Sequence, residues 1–253
     1  MLVIIDPSTR HPELEVCAQI SQEARRLTQG QLAHDLRVVR PALPQELVDI
    51  SSASDEFESE RYVVKLSHIQ PREASAVIIL GGGASPAEEL AWQTRLKEWL
   101  THPEGPMARG CPILGVCYGH QLLGSISGGA VEFLWSGECA KGLRNTQLSE
   151  ATLGLEAHTV YPLVISHREG LRDAPSGWRA LSMSAYLNGP SSQPSARAVD
   201  AMRHEHAPWW GFQAHVDATP QFITGNHIPS ALPRPYAGER VIRAFLRLWA
   251  RSL

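Results

Sequence analysis

The 253-residue sequence has few cysteines, no apolar run near membrane-spanning length, no excess of basic charge, no internal repeat and no long linker. Each absence excludes something. Cys17, Cys111, Cys117 and Cys139 form no CxxC pair, which argues against a disulfide scaffold and makes a reducing cytoplasm the default. Met1 to Ile5 is too short for a signal peptide and lacks its basic start, and no span of about 20 apolar residues is present. A net charge of -3 gives no electrostatic case for nucleic acid or an anionic membrane. Hydrophobic residues at 43% and charged residues at 19% are an ordinary globular balance. The expectation is a single domain over 1–253.

What is present centres on Cys111 to Gly129. Ile113-Leu114-Gly115-Val116 reads as a buried strand running into Cys117. After Tyr118-Gly119-His120-Gln121, the residues Leu122, Leu123 and Ile126 fall at helical spacing. Gly115-x-Cys117-x-Gly119 is the nucleophile-elbow pattern with sulfur in place of the serine oxygen. Glycines flank the nucleophile because a strained strand-to-helix turn leaves no room for side chains there. A cysteine at a helix N-terminus also meets free N–H groups and a dipole that favour its anion.

Around this stretch, strands and helices alternate. Leu2–Ile5, Leu36–Val39 and Ala76–Leu80 read as buried strands, with Tyr62–Leu66 as a further one. Helices are expected over Glu13–Leu27 and Ala87–Leu100, and Ser51 to Glu56 as a polar loop. This alternation predicts a parallel α/β sheet, with sites beyond the carboxyl ends of its strands. The glycine turns at 81–83 and 115–119 lie at such ends. The second half is richer in strands: Val131–Phe133, Arg144–Leu148, Thr159–Ser166, Arg179–Ser184, Ala196–Met202 and Trp209–Gln213. Pro220 to Pro235 reads as loop and short helix, and Gly238–Trp249 as a final amphipathic helix.

A thiol nucleophile needs a base, and the base needs a third group to fix its tautomer. His215 and Asp217 stand two apart after an apolar strand, where alternation would send both to one side. Cys117, His215 and Asp217 are thus the candidate triad. Other clusters carry less. His204-Glu205-His206 has no third metal ligand at recognisable spacing and reads as a solvated hairpin turn. The tryptophans read as core or interface. Gly81-Gly82-Gly83 is no phosphate loop, because no Gly-Lys-Ser/Thr follows. No metal or cofactor is expected.

Gly115-Val116-Cys117-Tyr118-Gly119-His120-Gln121 resembles the G-[VI]-C-x-G-x-Q signature of class I, triad-type glutamine amidotransferases. Leu80-Gly81-Gly82-Gly83 resembles that family's oxyanion loop, and Gly128-Gly129 its small pair after the nucleophile helix. Ile165-Ser166-His167 resembles its S-H segment, and Gly211 to Asp217 its G-V-Q-F-H-P-E segment. The order along the chain matches as well. The chain departs from the pattern at Asp217 for glutamate, Val216 for proline and Ala214 for an aromatic residue. No proline follows Gly83.

The resemblance implies a flavodoxin-like fold: a mostly parallel sheet flanked by helices, with extra antiparallel strands in the second half. It implies that Cys117 attacks the glutamine side-chain amide while His215 moves protons, oriented by Asp217. By resemblance, the N–H groups of Gly83 and Tyr118 form the oxyanion hole. Gly82, Gln121, Ser166, Arg168 and Glu169 would then hold the substrate. Three functions follow. The first is a stand-alone glutaminase subunit giving ammonia to a separate synthetase, since no acceptor domain is fused. The second is a γ-glutamyl peptide or amine hydrolase that needs no partner. The third is a non-catalytic regulatory relative, against which the intact Cys117 and His215 argue.

Overall fold

The computed structural model describes residues 1–9, 11–29, 35–43, 62–134, 138–186, 196–229 and 231–252. The expected loop over Ser51 to Glu56 lies outside them. Strands are β1 (Leu2–Ile5), β2 (Leu36–Val39), β3 (Val63–Val64), β4 (Ala76–Ile79), β5 (Ile113–Val116), β6 (Val131–Phe133), β7 (Ala140–Gln147), β8 (Val160–His167), β9 (Glu169–Leu171), β10 (Trp178–Tyr186), β11 (Ala196–His204) and β12 (Trp209–Phe212). Helices are α1 (Leu14–Leu27), α2 (Ala91–Thr101), α3 (Tyr118–Ile126), α4 (Pro220–Gly225) and α5 (Ala237–Ala250).

Eight strands form one sheet in the order β10-β11-β12-β5-β4-β1-β2-β3. From β12 to β3 every pairing is parallel; β10, β11 and β12 pair antiparallel. The parallel core and the antiparallel additions agree with the expected fold class. β1, β4 and β5 are buried at every position, as strands covered on both faces must be. Their side chains divide by alternation. Leu2, Ile4, Ile78 and Leu114 pack with α1 and α5 through Val16, Ile20, Val241, Phe245 and Trp249. Val3, Ile5, Val77, Ile79 and Ile113 pack with α2 and α3 through Leu96, Trp99, Leu122 and Leu123. Truncating one of these fully buried side chains to alanine typically costs about 2–5 kcal/mol.

Two antiparallel pairs stand outside the main sheet: β6 with β9, and the ribbon of β7 with β8. β9 has no strand signal in the sequence. β7 starts four residues earlier than expected, because Ala140–Leu143 pair with Val164–His167, whereas β8 keeps its expected length and is shifted by one residue.

Two expected elements are corrected. The helix expected from Ala87 begins at Ala91. A 3-10 turn fills Pro86–Glu88, and Glu89 sits in the left-handed region at φ 52°, which no continuous right-handed helix tolerates. The Gln93 side chain then accepts the Leu90 N–H at 2.8 Å and starts the helix afresh. The strand expected over Tyr62–Leu66 is paired only at Val63–Val64, and a 3-10 turn over Leu66–His68 ends it.

Candidate active site

Adjacent parallel strands β5 and β12 end side by side, and the candidate triad lies at those ends. Cys117 occupies the junction between β5 and α3 at φ 48°, ψ -99°, a conformation that costs an L-residue free energy and marks strained functional turns. The neighbouring glycines are required by space. A Cβ on Gly115 would lie 2.5 Å from the carbonyl carbon and oxygen of Gly119, and one on Gly119 would lie 2.3 Å from the Ile79 oxygen. The helix can therefore fold tightly against β5 and β4 only without those side chains. The Tyr118 N–H opens the first turn of α3, where no preceding turn supplies a carbonyl.

His215 and Asp217 come together, though not by strand alternation. β12 stops at Phe212. His215 and Asp217 lie on a turn in which the Ala218 N–H donates to the His215 carbonyl at 3.1 Å. His215 Nδ1 pairs with Asp217 Oδ1 at 3.2 Å, both side chains being almost wholly buried. Burial alone would lower the imidazole pKa. The Cys117 sulfur and the Asp217 carboxylate outweigh it and hold the pKa well above the usual histidine value. With Nδ1 engaged by Asp217, Nε2 is the nitrogen left for the thiol. The ring is also held from the side by Phe222 of α4, with ring centroids 4.2 Å apart.

The walls are built from the other expected residues. Gly81 to Ser85, Cys117, Gln121, Ser166 to Glu169 and His215 line one cleft of about 740 Å³. A Cβ on Gly82 would come within 3.0 Å of Pro7, whereas one on Gly83 would make only an ordinary contact with Thr9 Oγ1 at 3.9 Å. The Ser166 carbonyl lies 4.0 Å from Cys117 Sγ. Gln121 donates through Nε2 to the Glu169 carbonyl at 2.8 Å and to Gln213 Oε1 at 3.2 Å. Both amide hydrogens are thereby engaged, so Oε1 is what it can offer a ligand. His167 turns back into the protein, with Nδ1 3.0 Å from the Glu169 carbonyl. Its burial lowers its pKa to about 3.

A model of the family described as glutamine amidotransferase class-I matches residues 42–228. The chain belongs to this family.

Its relatives include a glutamine-hydrolysing GMP synthase of Thermus thermophilus, 36% identical over 139 residues, which are 54% of this chain and 26% of the relative. In Methanopyrus kandleri the relative is one subunit of the glutamine-hydrolysing GMP synthase, 27% identical over 153 residues, 58% of this chain and 68% of its own length. The match with the GMP synthase of Nitratidesulfovibrio vulgaris also spans only 26% of that protein's length. Among solved structures, a glutamine amidotransferase from Thermotoga maritima superposes with a TM-score of 0.59 at 14% identity, covering 98% of this chain and 97% of that one. One from Methylobacillus flagellatus gives 0.55 at 17% identity, covering 99% and 90%. At these identities the two structures speak for the fold.

Three groups around the candidate site stand beyond the residues expected to act there. Gln213, fully buried, points Nε2 at Cys117 Sγ from 3.6 Å; it lies inside the Gly211–Asp217 segment without being singled out by residue type. Glu13 lines the cleft, and its pKa is raised to about 7 by burial and by the nearby Asp217 and Asp6 carboxylates. Tyr236 hydrogen-bonds the His215 carbonyl from 21 residues away. His204-Glu205-His206 lies at the β11–β12 connection. His204 packs against Trp209 with ring centroids 4.5 Å apart, while Glu205 and His206 are exposed. No helix among the described residues is long and apolar enough to cross a membrane.

Proposed function

We propose that this amidotransferase hydrolyses the side-chain amide of glutamine through a Cys117 thioester and passes the ammonia to a synthetase on another chain. The observation that carries the reading is the buried His215–Asp217 pair at 3.2 Å, set beside Cys117 on a strained elbow. In this reading Nε2 of His215 holds the proton taken from the thiol, as its raised pKa favours, and the Cys117 thiolate attacks the amide carbon. The tetrahedral oxyanion is met by the N–H groups of Gly83 and Tyr118; losing one such donor typically costs about 10²–10³ in kcat. The imidazolium then protonates the departing nitrogen, ammonia leaves, and water attacks the thioester to release glutamate. Gly82, Gln121, Ser166, Arg168 and Glu169 are assigned to the amino and carboxylate groups of the substrate. A separate acceptor is supported by the name of the Methanopyrus relative, which is that of one subunit of its synthase. Four free cysteines suit a reducing compartment, and we place the chain in the cytoplasm.

A second reading, γ-glutamyl hydrolysis without a partner, is favoured by one observation. The cleft of about 740 Å³ lies in the range that holds drug-sized ligands and leaves room for a leaving group larger than ammonia. The deciding experiment measures release of ammonia from glutamine and of amines from γ-glutamyl amides, with and without candidate synthetases. The donor reading expects slow glutaminase activity alone and a partner-driven rise in kcat with little change in KM. Fast hydrolysis that no synthetase alters would give the function to the second reading.

A further inference from the structure

His215 stands beside Val164, in the middle of β8. The His215 N–H donates to the Val164 carbonyl at 2.7 Å. In an ordinary antiparallel pair the return bond would run from the Val164 N–H to the His215 carbonyl. Here it runs through a side chain. The Val164 N–H donates to Tyr236 Oη at 3.1 Å, and Tyr236 Oη donates its own proton to the His215 carbonyl at 2.6 Å. A phenolic oxygen is thus wedged into the ladder at the residue that carries the imidazole. Tyr236 is 1% exposed, so water does not compete for either bond. Burial raises the phenol pKa, which keeps its proton in place as the donor.

The next turn of chain reinforces the wedge. Gly238 lies so close to the turn that a Cβ there would sit 2.2 Å from the Val216 carbonyl oxygen. The start of α5 therefore touches the backbone at 216 while Tyr236 holds it at 215. These contacts bracket the two residues that lead to Asp217.

We propose that Tyr236 is a positioning residue for the Cys117–His215 pair: its hydroxyl sets how far the His215 backbone stands off β8, and so how deep the imidazole reaches towards the Cys117 sulfur. The proposal rests on the reading of Cys117, His215 and Asp217 as the reacting groups. Without the hydroxyl, the Val164 N–H and the His215 carbonyl lose their partners in a dry site, where each unsatisfied group is costly. They regain them by closing directly on each other, which draws His215 towards β8. A misplacement on the order of 1 Å can cost about 10²-fold in rate.

The test is Tyr236→Phe in a Cys139→Ser background, which removes the exposed competing thiol. Two readouts are taken: steady-state glutamine hydrolysis, and alkylation of Cys117 by iodoacetamide at neutral pH without glutamine. The expected result is a fall of about 10²-fold in kcat with KM for glutamine unchanged, and alkylation slowed with it. A folded Tyr236→Phe protein with wild-type kcat and wild-type alkylation, even at a lower melting temperature, would overturn the proposal. Should the parent hydrolyse no glutamine, the functional reading fails, while the alkylation rate still decides the role of Tyr236. Should Tyr236→Phe not fold, 3,5-difluorotyrosine at 236 keeps the shape and weakens the acceptor. An intermediate loss in alkylation rate is then expected, and no loss would refute the wedge.

Discussion

A methyl group on Gly81 would stand 2.5 Å from Cε1 of His215 and 3.5 Å from Cβ of Cys117. The imidazole lies against bare backbone, so the first glycine of the 81–83 turn makes room for the ring. Gly81→Ala must push the ring off its place, because real Cβ contacts are not that short. The expected outcome is a loss of kcat of about 10²-fold with the fold retained, checked by steady-state kinetics beside circular dichroism. An unchanged kcat would show that the ring has slack.

Cys117→Ala is expected to abolish hydrolysis of glutamine and γ-glutamyl compounds while the protein stays folded. A glutamine analogue carrying an electrophilic carbon should mark Cys117 in preference to Cys139, although Cys139 is the exposed thiol, and to the buried Cys17 and Cys111. Peptide mapping after labelling checks this. Label spread over all four cysteines would remove Cys117 from its proposed role.

Asp217→Asn keeps a polar partner for Nδ1 but removes a negative charge that raises the pKa of His215. The imidazolium then gives up its proton at lower pH, so the alkaline limb of the rate profile moves down in pH. A drop in kcat on the order of 10²–10⁴ is expected, by analogy with the acid of other triads. Asp217→Glu restores the charge on the family's usual side chain and should be nearly neutral. A wild-type profile in Asp217→Asn would mean that another acid supports His215.

Stability should depend on pH through two buried histidines and one half-buried carboxyl. His120 and His167 have pKa values lowered by burial to about 4 and about 3, from 6.5 in the unfolded chain. Between pH 6.5 and 4.5 each binds a proton only when unfolded, which erodes stability as the pH falls. Glu13, raised to about 7 from 4.5, binds a proton only when folded in that window and offsets one of them. His215, its pKa raised, is protonated in both states below pH 6.5 and drops out. The net slope is a loss of about 1.4 kcal/mol per pH unit on acidification. Glu13→Gln removes the offset and should steepen it to about 2.7 kcal/mol per unit. Urea titrations at several pH values measure both slopes.

The parts of the site readable in the sequence are those whose constraint is local. Gly115 and Gly119 flank Cys117 because the elbow leaves no space for a Cβ, and that need is written within a single short turn. The parallel strands were readable because burial on both faces demands unbroken apolar runs, as in Ala76–Ile79. His215 and Asp217 were readable by residue type and distance, but not by geometry: a turn after Phe212, not a strand, joins them. Tyr236 was invisible because its two partners lie 21 and 72 residues away, and a tyrosine after a proline signals nothing about either. β9 was invisible because Glu169–Leu171 is a strand only through its pairing with Val131–Phe133.

The contact of Gly238 with Val216 ties the site to the order in which the chain is made. Domains begin to fold while still on the ribosome, N-terminal parts first. β5, the elbow and β12 all emerge before Tyr236 and α5, yet the turn bearing His215 is held at the His215 carbonyl and at Val216 by those later residues. A nascent copy can thus form the elbow before the His215 turn has its contacts with Tyr236 and Gly238. The same holds for a copy clipped by a protease ahead of Tyr236.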